Sequence, residues 1–282
     1  MVEVLKTGFY DTVQDIGRFG VQEYGVPCSG AMDLYSAKVA NTALGNSITE
    51  AVLEIMIIGP KLKFQCTTEI VLSGADLSPK LNSKPIKMNT RIRVLKNDEL
   101  SFGLRNYGCR AYLAVKGGFQ TEFVMNSYSM YKTITKNSKL KKGDQLSIFE
   151  NNDSIGNAFA SLRIDNKHFN VNVLDVFKGI EFGRLSCLEQ QVLFSTEFTI
   201  SKDSNRMAYQ VNETVDNKIE PIITSLVLPG TVQLTPSGKL LILMRDCQTT
   251  GGYPRILQVS EESINRLSQS VFGEKFRFKC ID

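Results

Sequence analysis

Short β-rich runs recur from one end of the chain to the other, at 53–58 (LEIMII), 69–74 (EIVLSG), 91–95 (RIRVL), 111–115 (AYLAV), 171–176 (VNVLDV), 240–244 (LLILM) and 276–280 (FRFKC). Turn residues divide them at short spacing, which leaves no room for the long amphipathic crossovers of βαβ units. The pattern predicts a mostly β chain, a sandwich or barrel of mainly antiparallel strands with a few short helices. One helix is expected after Asp33 as N-cap, with Tyr35, Val39, Ala40 and Ala43 on its apolar face and Gly45 to end it. A second is expected after Ser260, with Ile264, Leu267 and Val271 as its stripe. A polar stretch from Asn151 to Asn170 is the best place to divide the chain, giving β units at 1–150 and 151–282 or one integrated domain. An apolar strand runs into a Gly-Gly-aromatic turn on either side, at 111–119 and 240–253. Two related units or a shared turn solution would both produce this.

Composition narrows the function. With 42% hydrophobic and 22% charged residues and a net charge of +4, the 282-residue chain reads as an ordinary globular protein, neither disordered nor strongly basic. Its one dense lysine cluster, Lys136, Lys139, Lys141 and Lys142, lacks the interleaved aromatics of a nucleic-acid surface and reads as a solvated loop. No apolar run approaches the roughly 20 residues that span a bilayer, and the first residues carry no secretory h-region, so a cytoplasmic protein with reduced cysteines is expected. The six cysteines show no C-x-x-C spacing. A single histidine, His168, rules out centres that need several imidazoles, and it stands in a polar stretch without a nucleophile motif such as G-x-S-x-G. The segment 230–240 fails as a phosphate loop on spacing and reads as a hairpin turning at Pro236-Ser237-Gly238. Ile86 stands where a biotin-carrier lysine has a preceding methionine, and the carrier pattern around Lys87 is missing, so no covalent biotin is expected.

Two glycine-punctuated polar segments carry the chemistry. The first, 12–33 (TVQDIGRFGVQEYGVPCSGAMD), sets Gln14, Asp15, Arg18, Ser29 and Asp33 among Gly17, Gly20, Gly25 and Gly30 just before a helix. Glycines let backbone N–H groups approach a ligand, and a helix N-terminus favours an anionic or carbonyl group. The Asp-Arg pair serves equally well as a structural ion pair, and Asp33 as a cap. The second, 245–254 (RDCQTTGGYP), emerges from an apolar strand. There Asp246 can act as a base or take an amide N–H, while Thr249, Thr250 and the glycine amides can donate to a carbonyl or carboxylate oxygen.

Further marks fall in order along the chain: AN…LGN at 40–46, SGAD at 73–76, RAYLAVKGGF at 110–119, KKGD at 141–144, SNRMAY at 204–209 and GTVQL at 230–234. With the two polar segments they resemble the family formed by the C subunits of 5-oxoprolinase, biotin-dependent-carboxyltransferase-like proteins that include the second allophanate-hydrolase-type region of urea carboxylase. The resemblance implies a cyclophilin-like β-barrel. It also implies partnership with a B-type and an A-type subunit in the ATP-dependent opening of 5-oxo-L-proline to L-glutamate. Carried over by position, it implies Asp15, Arg18 and Asp246 as catalytic residues. Gln14, Ser29, Gly30, Asp33, Arg206, Gln248, Thr249, Thr250, Gly252 and Tyr253 are implied as substrate-binding. Ala208 replaces the family's usual glycine, and 126–144 lacks its usual serine- and glycine-rich approach. Two alternatives are a carboxyltransferase component acting on urea or a similar amide, and a non-catalytic partner that sequesters a B-type kinase-inhibitor protein.

Overall fold

The structure is a computed structural model that describes residues 1–151, 162 and 164–281. The chain divides into two compact units, Met1–Arg18 with Ser29–Phe169, and Phe19–Cys28 with Asn170–Asp282. Of the polar stretch expected to divide the sequence, 152–161 and 163 lie outside the described residues.

The first unit holds two sheets. One is six-stranded, with Val2–Lys6 and Lys61–Phe64 among its strands; the other is five-stranded in the order Tyr10–Gln14, Val52–Met56, Tyr107–Val115, Thr68–Asp76, Ile92–Val94. Residues alternate between the faces of a strand. Leu53, Ile55, Leu113 and Val115 therefore turn into one core with Val2, Val4, Leu62 and Phe64 of the other sheet. Their neighbours Val52, Val71, Tyr112 and Ala114 face the opposite way, onto helix α1, Leu34–Leu44. Both faces of the five-stranded sheet are covered, so its strands read as nearly unbroken apolar runs.

Helix α1 has the expected ends: Asp33 accepts the Ser36 N–H at 3.0 Å, and Gly45 closes the helix at φ 69°. Its buried face differs from the sequence expectation, comprising Ser36, Ala37, Ala40, Asn41 and Leu44, while Tyr35 is exposed. Small side chains let the helix lie close over the sheet, and the tyrosine is too large for that interface.

The second unit is a seven-stranded sheet in the order Phe198–Thr199, Lys275–Cys280, Val173–Lys178, Arg255–Val259, Thr231–Leu234, Lys239–Leu243, Ala208–Thr214. Its two outermost strands meet through an Ile200–Val211 bridge and a Ser201 N–H to Gln210 carbonyl bond of 2.8 Å, which nearly closes a barrel. The hairpin at 235–238 forms as expected, with Gly238 at φ 80° donating its N–H to the Thr235 carbonyl. Helix α2, Cys187–Ser195, starts with a Ser186–Glu189 capping box. Helix α3, Glu261–Leu267, starts on the expected Ser260 cap and stops short of Val271. Among the described residues no helix is long and apolar enough to cross a membrane.

Asp11 introduces a pH dependence into the first unit. It is buried on the strand Tyr10–Gln14, with Oδ2 accepting the Gly8 N–H at 2.6 Å and Oδ1 unpartnered. Burial pushes its carboxyl up to about 6. The folded state thus holds a proton that the unfolded chain releases near 3.8, and stability falls as pH rises between these values and levels off above about 6. The full effect is about 3 kcal/mol. Asp11→Asn should remove this slope in urea denaturation followed from pH 4 to 7. An unchanged slope would show that Asp11 does not carry it.

Candidate functional site

In the first unit the chain leaves a strand at Gln14 and turns at once through Asp15, Ile16 and Gly17. The Asp15 carboxylate receives four hydrogen bonds: Oδ1 from Gly17 N–H (2.8 Å), Ser127 Oγ (2.8 Å) and Ser129 Oγ (2.6 Å), and Oδ2 from Tyr128 N–H (2.7 Å). Ser129 Oγ also accepts the Asp15 N–H at 3.2 Å. Three of these bonds crowd onto Oδ1 and one reaches Oδ2, so most of the carboxylate's acceptor capacity is committed. Arg18, fully buried, donates from Nε to the Val124 carbonyl (3.0 Å) and from Nη2 to the Ser129 carbonyl (2.6 Å). Gln14 donates to the Met130 carbonyl at 3.2 Å. Gln14, Asp15 and Arg18 together hold the loop 124–130 in place. That loop folds as a two-residue hairpin whose central residues, Met125 and Asn126, sit at φ 52° and 60°, a geometry that favours Asn-Gly and strains a methionine.

Ser29 and Gly30 come back alongside this turn. Gly30, at φ 92°, leaves a hypothetical Cβ only 3.0 Å from Gly17 Cα and the Ile16 carbonyl carbon, so no larger residue fits. Ser29 takes φ 55°, and its Oγ, like Gln14 Oε1, is buried without a partner. These two atoms are open polar positions in the motif that carries Asp15.

Asp33 does more than cap α1. Its Oδ2 accepts Ser36 Oγ at 2.6 Å and lies 2.7 Å from His168 Nε2. Its backbone N–H donates to the Tyr112 hydroxyl at 2.8 Å, and that hydroxyl donates to Glu54 Oε2 at 2.9 Å. Met32 N–H reaches the same oxygen at 2.7 Å, and Arg110 stands 3.8 Å from Oε1. Burial, then the charges of Glu54 and Asp33, hold the Tyr112 phenol well above its ordinary range, so it stays a donor. His168, Glu54, Tyr112, Ser127 and Ser129 lie outside the residues that sequence motifs assign to a site. Glu54 between Leu53 and Ile55, and Tyr112 within an apolar strand, are the signals that mark buried polar partners.

In the second unit Arg206 grips Asp246 side-on, Nε to Oδ2 at 2.7 Å and Nη2 to Oδ1 at 3.1 Å, and the Asp246 N–H donates to the Arg206 carbonyl at 3.0 Å. This bidentate pair fixes the carboxylate plane yet fills only half of its acceptor sites. Gln248 donates to Gln233 Oε1 at 3.3 Å, and the Gln233 amide in turn reaches the Tyr253 carbonyl at 3.4 Å. The backbone of Thr249, Thr250, Gly251 and Gly252 is zipped to 222–227 by the Val227 to Thr249 and Ile222 to Gly252 bonds and a two-stranded ribbon. The threonine side chains and the half-exposed Tyr253 ring therefore project from a rigid backbone. Cys247 lies between these groups, but burial pushes its thiol up to about 12, which leaves no thiolate nucleophile near neutrality.

The first constellation thus gathers Gln14, Asp15, Arg18, Ser29, Gly30 and Asp33 in one unit, and the second gathers Arg206, Asp246, Gln248, Thr249, Thr250, Gly252 and Tyr253 in the other. Arg206→Met leaves a buried carboxylate uncompensated and should cost about 3–5 kcal/mol in urea denaturation. Asp15→Ala orphans several buried donors and should cost at least about 2 kcal/mol. Losses near zero for either would mean that these contacts do not form in solution.

Comparison with known proteins places these features. The family profile described as "Carboxyltransferase domain, subdomain A and B" matches residues 24–280. The chain is 30% identical over its whole length to a Haemophilus influenzae protein named as the C subunit of 5-oxoprolinase, covering 91% of it, and 29% identical to the Escherichia coli protein of that name, covering 90%. It is 42% identical to Lachancea kluyveri urea amidolyase over 130 residues, 7% of that protein. The crystal structure of Kluyveromyces lactis urea carboxylase superposes with a TM-score of 0.88 at 27% identity, and the chain spans 27% of it. A structure of TTHA0988 superposes with a TM-score of 0.85 at 25% identity, and the chain spans 56% of that longer polypeptide. The chain belongs to the carboxyltransferase-domain family that contains the C subunits of 5-oxoprolinase.

Proposed function

We propose that this chain is the C subunit of an ATP-dependent 5-oxoprolinase that opens 5-oxo-L-proline to L-glutamate together with B-type and A-type subunits. The observation that carries this reading is coverage: the chain matches proteins named as the C subunit of 5-oxoprolinase over nine-tenths of their length, whereas it matches 7% of a urea amidolyase.

The chemistry of the second constellation suits a lactam. Asp246, oriented by Arg206, keeps lone pairs free to accept the ring N–H, and the Thr249 and Thr250 hydroxyls are available as donors to a carbonyl or carboxylate oxygen. A lactam carbonyl is a poor electrophile. Phosphorylation of its oxygen by ATP makes the carbon attackable by water; the C–N bond then breaks, with a proton passing to nitrogen, to leave an acyl phosphate that a second water hydrolyses to the carboxylate and phosphate. The sequence carries no recognisable phosphate loop, so ATP is assigned to the assembled complex, on a partner subunit or at a site of another kind. Ser29 Oγ and Gln14 Oε1 add open polar atoms in the other unit.

Co-purified with its B and A partners, the protein should release glutamate from 5-oxoproline with consumption of ATP. Asp246→Asn should lower kcat by about a hundredfold or more while the complex still assembles. An intact complex that turns over no 5-oxoproline contradicts the assignment, and full activity in the Asp246 variant contradicts the site. A second reading, a carboxyltransferase component acting on urea or a similar amide, is favoured by the superposition on urea carboxylase. Carboxylation of urea by the complex with added carboxybiotin would establish it. Tight binding to a B-type mate without turnover of any amide would point to a regulatory partner.

A further inference from the structure

A cavity of about 560 Å³ opens in the first unit on the far side of the loop that clasps Asp15. Its size falls in the range of metabolite sites. Met130 and Leu146, both buried, and the Tyr128 ring supply an apolar wall. Tyr128 is held there by its hydroxyl on Gln120 Oε1 at 3.1 Å. Thr121 Oγ1, on the lining, is buried without a partner.

The charges of the lining point to the kind of molecule it takes. Glu122 and Asp144 each commit one oxygen to a backbone N–H, of Lys136 at 2.7 Å and of Lys141 at 2.8 Å. That leaves a second oxygen on each carboxylate, opposed by one lysine side chain, Lys136, so the lining carries a net negative charge. Asn137 and Gln145 add carboxamides. Two carboxylate oxygens left open beside an apolar wall suit an ammonium group on a small organic body.

Side chains alternate along 127–130. Ser127 and Ser129 turn to Asp15, while Tyr128 and Met130 line the cavity. Met130 is tied at both backbone groups to the first motif, by its N–H to the Val13 carbonyl and its carbonyl to the Gln14 amide. A molecule packed on Tyr128 and Met130 therefore bears directly on the residues that fix Gln14 and Asp15.

We infer that this cavity is a binding site for a small organic ammonium compound, and that its occupancy is transmitted to Gln14 and Asp15 through the two faces of the 127–130 segment. Such a site does not depend on the proposed reaction. Isotope-labelled methionine methyl groups in the full-length chain provide the test, with the Met130 signal assigned by Met130→Leu. Putrescine and L-lysine should shift that signal saturably below about 10 mM, and acetate and inorganic phosphate should not. Glu122→Gln/Asp144→Asn retains both backbone acceptors and should weaken the response about tenfold or more. The inference is overturned if neither amine moves the Met130 signal, if the anions move it equally, or if the double variant keeps the wild-type affinity.

Discussion

The Asp15 carboxylate, with four donors converging on it, is the contact from which the first unit's loops take their positions. Three of the donors, Ser127, Tyr128 and Ser129, come from a segment more than one hundred residues away, so one side chain closes a long loop. Each donor would be a buried orphan without it, and charge-assisted bonds of this length are roughly twice as strong as neutral ones. Gln14 and Arg18 extend the same clasp to Met130, Val124 and Ser129. The strained Met125–Asn126 turn persists because these bonds over-determine it.

Two carboxylates that look alike in sequence therefore hold different situations. Asp15 takes four donors from the backbone and side chains around it and builds structure. Asp246 is gripped on one side by Arg206 and keeps acceptor capacity on the other, the state expected of a group that orients a polar ligand. Asp33 belongs with Asp15: it caps α1, meets His168, and is tied through its own N–H to Tyr112 and Glu54. A polar motif ahead of a helix thus divides its labour, most of it spent on holding backbone and a small part, Ser29 Oγ and Gln14 Oε1, left open.

What could be read from sequence followed from local rules. The seven β-rich runs fall on strands, the Asp33 and Ser260 caps start their helices, and Pro236-Ser237-Gly238 turns a hairpin. Helix α2 is hidden by its weak apolar pattern, although Ser186 and Glu189 spell a capping box. The buried face of α1 departs from the apolar periodicity because a sheet surface accepts Ala and Ser more closely than Tyr. The partners of Asp15 and Asp33 are illegible for a different reason: Ser127, Ser129 and His168 lie 112, 114 and 135 residues from the groups they meet, and no local periodicity encodes such a pairing.

The clasp is tested most directly by amide hydrogen exchange at Tyr128, whose N–H donates to Asp15 Oδ2 at 2.7 Å on a partly buried loop. In the wild-type chain it should exchange as slowly as strand amides such as Leu113, and in Asp15→Ala it should accelerate by about tenfold to a hundredfold. Rapid exchange in the wild type, or a rate indifferent to the substitution, would contradict the organising role given to Asp15.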